Sequence, residues 1–472
     1  MDAERLRVAM FTTIVTGGAG YAALRVHESL RLYGADSTLY VGRAERGEYP
    51  GVTQLRSANE GCQPRLVPGL TMFSVDPPGI PDAELDRIIA KTDIFNLHWY
   101  ARFLSLRNIE RLLRSGKPVV LTIRDMHPLA GGCHFFHGCE NWKRDCLPCP
   151  QFVVEDLPLP HATFEAKRAL WNFDNISVVV LSDHTQRIVK QSPLLGQCRL
   201  EKIPNPIDVS IFRPYDRERA RAEFDIPPGK KAIAYLPSFS SAVKGSEQAT
   251  EALRRLASEL PNQDCVVICA GDLGRSLDIP FETISTGFIA DKQQLARFYS
   301  SADVTLIPSS EETFSNTAAE SVACGTPIVG FQVGAIPEIA QGARGRAVPL
   351  YDTESLARAL LAILSSGRRP ASELHAYVAE TFSAARIGGR YLNLFEDLRE
   401  ASRVSGPNLS RPFADSGAGS FDLLLREYRV IRDREQRSLR GRLGQLSRAG
   451  RLFFADNRSF RRHLWGLLSE RS

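Results

Sequence analysis

Short apolar blocks alternate with stretches of helical spacing along most of the chain. In the first half, Leu6–Thr13, Ser37–Val41, Ile94–His98, Val119–Ile123 and Val178–Leu181 read as strands, with helical patterns at Tyr21–Leu32, Leu106–Leu113 and His184–Gln191. The alternation restarts beyond residue 230. Strands are expected at Ala232–Leu236, Cys265–Ala270, Thr283–Gly287 and Val304–Ile307. Helices are expected at Ser246–Leu260, Lys292–Ser300, Asn316–Ala323, Thr353–Leu364, Ala371–Phe382 and Ile387–Leu398. Strands alternating with helices imply parallel, doubly wound sheets, so an α/β chain with two such domains is expected. Between them, Ile203-Pro204-Asn205-Pro206-Ile207-Asp208 and Phe212-Arg213-Pro214 place prolines around an Asx-type turn and read as a stiff linker. The expected division is 1–205, 206–385, a helix at 386–402, a Gly/Pro/Ser-rich linker at 403–420 and a tail at 421–472.

Doubly wound sheets bind ligands at the carboxyl ends of their strands. Those ends carry the loop Gly17-Gly18-Ala19-Gly20, then His98, then Arg124-Asp125-Met126-His127, and in the second half the loop Pro308 to Ser315. Ser315 or Asn316 is a candidate N-cap for the helix that follows. The free N–H groups of Asn316, Thr317 and Ala318 and the positive helix end would suit an anion such as a diphosphate. Glu312 and Glu320 frame this loop and are spaced so that both reach one ligand. A carboxylate accepts two hydrogen bonds at once, which fits the vicinal hydroxyls of a ribose or hexose; alternatively both acids simply complement the helix dipole.

The Glu-x7-Glu spacing followed by Ala323-Cys324-Gly325-Thr326-Pro327 resembles the retaining glycosyltransferases of family 4, which have the GT-B fold. The resemblance covers roughly residues 6 to 400 and implies two Rossmann-like domains facing a cleft, with the last helix returning to the first domain. It assigns Glu312 to the donor sugar and Glu320 to the nucleotide ribose, with Phe314, Ser315, Asn316 and Thr317 around the donor. Gly17, Gly18 and His98 fall on the acceptor side. The Pro-Asn-x-x-Asp … Phe-x-Pro run is the family's hinge, near Asn205. Lys244 before Gly245 would grip the diphosphate, and the family's arginine five residues earlier is Phe239 here. Thr122-Ile123-Arg124-Asp125 replaces the family's Thr-x-His-Asp, so Arg124 stands where a histidine faces the donor sugar, and His127 is the candidate to replace the imidazole. With Asp125, these complete the expected catalytic set. The resemblance implies front-face transfer without a catalytic metal or cofactor, and no Asp-x-Asp motif occurs in the chain.

Composition changes the picture in two places. Cys133, Cys139, Cys146 and Cys149 fall within 17 residues at C-x5-C-x6-C-x2-C spacing, which suits a structural zinc, a redox pair or simply buried thiols. A similar Gly-Gly-Cys-His insertion occurs in family 4 enzymes of the colanic-acid and exopolysaccharide type. The formal charge of +5 is also uneven, because residues 421–472 hold 13 Arg and no Lys against 6 acids. Their apolar residues are interleaved with arginines, so the tail reads as a basic amphipathic helical segment, docking either on an anionic membrane or on the enzyme body or another subunit. It lacks the aromatic stacking platform of a nucleic-acid binder.

With 43% hydrophobic and 24% charged residues, no signal-peptide core and no long apolar run, the expectation is a cytoplasmic protein, peripheral on the inner face of the plasma membrane if the tail docks there. The expected activity is retaining transfer from a nucleotide diphosphate sugar to a glycan or lipid-linked acceptor in bacterial surface polysaccharide synthesis. A degenerate GT-B scaffold and a GT-B epimerase are the competing readings.

Overall fold

The computed structural model describes residues 5–43, 49–55, 72–74, 79–151, 159–237, 242–260, 264–271, 278–367 and 370–405. The first sheet contains β1 (Arg7–Ile14), β2 (Asp36–Arg43), β3 (Val52–Gln54), β4 (Ile94–Leu97), β5 (Val119–Thr122), β6 (Ile176–Val180) and β7 (Arg199–Lys202). Its order is β3-β2-β1-β4-β5-β6-β7, and every pairing is parallel. Every residue of β4, β5 and β6 is buried, as happens when a parallel sheet is covered on both faces. The helices of this domain are α1 (Gly17–Leu32), α2 (Asp82–Lys91), α3 (Leu106–Arg114), α4 (Leu159–Leu170) and α5 (Asp183–Lys190). From β1 the chain winds to β2 on one side and later to β4 on the other, which puts a topological switch point at the carboxyl ends of β1 and β4.

The second sheet contains β8 (Lys231–Tyr235), β9 (Cys265–Ala270), β10 (Glu282–Gly287), β11 (Val304–Ile307), β12 (Ile328–Phe331) and β13 (Gly345–Val348). Its order, β10-β9-β8-β11-β12-β13, is again all parallel and reverses between β8 and β11. Around it lie α6 (Arg217–Glu223), α7 (Ser246–Ala257), α8 (Lys292–Ser301), α9 (Asn316–Ala323), α10 (Ile336–Ile339), α11 (Thr353–Ser365), α12 (Ala371–Phe382) and α13 (Ala384–Ser405). The fold is therefore α/β with two Rossmann-like sheets, and α13 returns to the first. A Cβ on Gly388 of α13 would lie 2.7 Å from Ser29 Cβ of α1, and Tyr33 Oη donates to Ala385 O at 2.9 Å.

Two expectations change. Gly17 to Gly20 form the first turn of α1 instead of a loop. A Cβ on Gly20 would lie 2.6 Å from Ile14 O, so only glycine lets the helix start this close to its strand. Residues 403–405, expected in the linker, continue α13, and the rest of the linker and the basic tail lie outside the described residues. Strands β3, β7, β12 and β13 carry no expectation of their own, since β3 is three residues long and β7 reads Arg-Leu-Glu-Lys, a polar sheet edge. Among the described residues no helix is long and apolar enough to cross a membrane.

Candidate active site

A cavity of about 300 Å³ opens between the two switch points. Gly18, Ala19, Trp99, Arg124, Asp125, His134 and Asn205 wall it from the first domain, and Lys244 and Glu311 to Asn316 from the second. The second-domain loop is pinned across the cleft. Thr313 O accepts from Ser182 Oγ (2.8 Å) and Thr185 Oγ1 (2.9 Å), while Thr313 Oγ1 donates to Arg124 O (3.1 Å). Asn205 Nδ2 donates to Asn316 Oδ1 (2.9 Å), and Asn316 Nδ2 donates to Gly18 O (3.2 Å). The side chain of Asn205 thus links the expected hinge to the helix that starts at Asn316.

Ser315 does occupy the N-cap of α9, but its backbone is left-handed, with φ 92°, and its side chain caps nothing. Its Oγ is buried without a hydrogen-bond partner on the cavity wall. Phe314 also lines the cavity, with its ring set edge-on to Phe382.

Lys244 and Glu312, expected to serve the diphosphate and the sugar separately, are paired here: Lys244 Nζ lies 2.7 Å from Glu312 Oε1. The glycine after the lysine makes this approach possible. Gly245 has φ 69°, and a Cβ on it would lie 1.9 Å from Pro308 O. Phe239 is outside the described residues.

Glu320 departs further from expectation. It is 7% exposed, is absent from the cavity wall, and its Oε1 accepts from Arg25 Nη2 at 2.9 Å. Burial pushes its carboxyl up and Arg25 pulls it back down in part. Arg25 also donates to Pro206 O and lies over the Phe212 ring, so α1, the linker and α9 meet at this pair. A buried carboxylate requires such a partner, and α1 supplies it. Thr317 and Gly17 likewise stand off the wall, leaving Gly18 as the glycine that reaches it.

Arg124 lies on the wall and His98 behind it. The guanidinium donates to His98 Nδ1 from Nε (3.0 Å) and Nη2 (2.8 Å) and to Asn205 Oδ1 from Nη1. Burial, with Arg124 beside it, holds His98 well below the usual imidazole range, so it is neutral and orients the arginine. His98 was expected on the acceptor side of the pocket; it reaches the pocket only through Arg124.

His127 is also displaced from its expected place. It lies off the wall, neutral because burial and then Lys167 hold its imidazole well below the ordinary range, and it stacks on His134 with centroids 5.0 Å apart. His134 faces the cavity instead, and nothing in the sequence reading singled it out beyond its place in the cysteine string. Its Nδ1 lies 2.5 Å from Asp125 Oδ2, which also accepts from Trp99 Nε1 at 2.6 Å. A carboxylate only accepts, so His134 donates from Nδ1, and its Nε2 pairs with the Ser74 hydroxyl at 2.8 Å. Asp125 Oδ1 takes the backbone N–H of His127 (3.0 Å). The carboxylate is thereby fixed in orientation at the cavity wall.

The cysteine insertion meets the second domain through Glu311, another residue not anticipated. Glu311 Oε2 accepts from Phe136 N (2.8 Å) and Oε1 from His137 N (2.6 Å). Burial pushes this carboxyl up, and the two N–H groups offset part of that. The four cysteines are gathered: burial first, then its three neighbours Cys146, Cys149 and Cys139, pushes the Cys133 thiol far up. Cys146 Sγ accepts from Gly131 N at 3.2 Å and Cys139 Sγ from Asn141 N at 3.4 Å. Among the described residues, however, no three His, Cys, Asp or Glu side chains stand in position to hold one metal ion. As placed, the four thiols do not form a tetrahedral set; Cys133 and Cys146 are buried, whereas Cys139 and Cys149 are half-buried.

Residues 230–366 match the family described as Glycosyl transferases group 1. D-inositol 3-phosphate glycosyltransferase of Mycobacteroides abscessus is 30% identical over 231 residues, 45% of this chain and 51% of that protein. The enzyme of the same name from Mycolicibacterium smegmatis is 30% identical over 238 residues, 48% and 53% of the two chains. The chain thus spans about half the length of these curated relatives. Among solved structures, sucrose-phosphate synthase from Thermosynechococcus elongatus superposes with TM-score 0.61 at 18% identity, covering 84% of this chain and 100% of that one. HepE of Anabaena, in complex with UDP-glucose, superposes with TM-score 0.57 at 13% identity, covering 83% and 100%. The architecture is that of the GT-B glycosyltransferases.

Proposed function

We propose that this protein is a retaining glycosyltransferase of the family 4 type that moves a sugar from a nucleotide diphosphate sugar to an acceptor. One observation carries the reading: the loop after β11 and the start of α9, inside the matched 230–366 stretch, face the ends of β1 and β5 across a shared cavity. A neighbour of the same fold is solved with UDP-glucose, and a nucleoside diphosphate sugar suits a cleft whose second-domain wall offers Lys244 and a helix N-terminus. The Lys244–Glu312 pair gives the steps an order. An arriving diphosphate competes for Lys244, and the released Glu312 carboxylate then accepts hydroxyls of the sugar. Because Glu312 positions the sugar and Lys244 with the helix end carries the leaving charge, the departing diphosphate takes the acceptor's proton on the same face, which retains configuration.

The acceptor belongs to the same proposal: a lipid-linked or glycan hydroxyl of bacterial surface polysaccharide synthesis, reached at the membrane through the Arg-rich residues 421–472. The curated relatives are named for inositol 3-phosphate, a phosphorylated polyol, which keeps a phosphate-bearing acceptor among the candidates. Thermal shifts with a panel of nucleotides and nucleotide sugars test the donor. Lys244→Met is expected to lose nucleotide-sugar affinity, and Glu312→Gln to lose mainly turnover, since a group that holds the reacting centre acts in the transition state. A chain that no nucleotide or nucleotide sugar stabilises is not a glycosyltransferase of this kind.

A further inference from the structure

Arg124 is 8% exposed and lies on the cavity wall, and its guanidinium makes hydrogen bonds only to neutral groups, His98 and Asn205. Among the described residues no carboxylate stands within ion-pair distance of it. The other buried arginines differ. Arg25 is paired with Glu320, and Arg221 lies 3.7 Å from Asp303. A buried guanidinium without a counter-charge is costly, and it persists where a ligand supplies the charge.

A second group points to the same place. Ser315, 4% exposed, lines the same cavity at the N-terminus of α9, and its Oγ is buried with no hydrogen-bond partner. A hydroxyl in that position would ordinarily cap the helix; this one, with its residue at φ 92°, is left for something else. Thr313, two residues before it, donates to the Arg124 carbonyl, and Asn205 touches both Arg124 and Asn316, so the two groups belong to one constellation.

The geometry points to a binding place, formed by Arg124 and Ser315, for an anionic oxygen group of the substrate other than the donor diphosphate: a carboxylate or phosphate carried by the transferred sugar or by the acceptor. This rests on the glycosyltransferase reading. Arg124 projects from the first domain, at the end of β5, whereas Lys244 serves the diphosphate from the second. The guanidinium fork matches a carboxylate or phosphate edge, and its orientation is already fixed by His98 and Asn205.

Calorimetry on the full chain separates the sources. UDP-glucuronate is compared with UDP-glucose, and inositol 3-phosphate with inositol in the presence of saturating UDP. One anionic probe is expected to bind about tenfold or more tightly than its neutral counterpart, the scale of a charged hydrogen-bonded contact. The glucuronate arm assigns the anion to the sugar, the inositol phosphate arm to the acceptor. Arg124→Gln is expected to abolish that preference while leaving UDP affinity within about twofold, and Arg124→Lys to restore part of it. UDP affinity also reports whether the variants are folded. Should Arg124→Gln fail to fold, Ser315→Ala, which removes an oxygen without a protein partner, is expected to reduce the same preference severalfold. The proposal is overturned if neither anionic probe is preferred, or if UDP loses as much affinity as the anionic probe, which would make Arg124 a diphosphate ligand. Absence of binding by every nucleotide would instead sink the glycosyltransferase reading itself.

Discussion

Arg25 Nη2 lies 2.9 Å from Glu320 Oε1, and this pair, 8% and 10% exposed at the side chains, joins α1 of the first domain to α9 of the second. Removing either partner strands a buried charge, so Arg25→Ala or Glu320→Ala is expected to cost about 3–5 kcal/mol in urea unfolding. Replacing both by methionine is expected to cost less than either single change, because no charge is then left alone. Equal and additive losses would show that the two groups act independently. The pair also bears on the ribose role expected for Glu320: Arg25 holds Oε1, so a ribose hydroxyl would be taken by Oε2 or would have to displace the guanidinium. If displacement is required, Arg25→Ala tightens UDP binding even as it destabilises the fold.

Glu311 holds the backbone N–H groups of Phe136 and His137, fastening the cysteine insertion of the first domain to the loop that carries Glu312. Hydrogen bonds to a charged group are worth roughly 1.5–3 kcal/mol. Glu311→Ala is therefore expected to raise amide hydrogen exchange at Phe136 and His137 by one to two orders of magnitude, the exchange equivalent of that energy. Unchanged protection at both amides would mean that the insertion is held by its own packing.

The strands near the cleft were readable because β4, β5, β6, β9 and β11 are apolar runs buried on both faces. The loop before α9 was readable because its acids sit at a fixed spacing. What the sequence conceals is partnership at long range. Arg25 is 295 positions from Glu320 and Glu311 is 174 from His137, and no local pattern announces such pairs. His134 was hidden differently. Its neighbours Cys133 and Cys139 carry the stronger signal, so the string reads as thiols, metal-bound, redox-active or buried, whereas the fold turns His134 toward Asp125. His98 and His127 had the right residue type at strand ends, yet Arg124 and His134 came to fill the wall in front of them.

Cys133 and Cys146 are buried, and burial raises both thiols, Cys146 to about 12. Thiolate is the reactive form, so neither is expected to react with an alkylating reagent near pH 8 in the folded protein, while denaturant exposes both. Mass spectrometry after labelling reads this site by site. Rapid labelling of Cys146 in the native protein, or one equivalent of zinc in protein purified without added metal, would show that the cluster adopts a different, thiolate-bearing arrangement in solution.

His98 and His127 are both held well below the ordinary imidazole range, first by burial, then by Arg124 beside the one and by Lys167 beside the other. The unfolded chain takes up protons at these residues near pH 6.5, whereas the folded chain does not until far lower. The unfolded state therefore binds more protons below that pH, and stability, fully present above it, is lost as pH falls. Each histidine contributes a slope of up to about 1.4 kcal/mol per pH unit. His127→Phe keeps the stacked ring against His134 and removes one titrating group, whose Nδ1 has no partner in the fold. The expected outcome is a shallower decline of unfolding free energy between about pH 6.5 and 5 than in the parent chain. An unchanged slope would mean that His127 takes up its proton in the folded protein as it does in the unfolded chain, and its place behind His134 would then have to be redrawn.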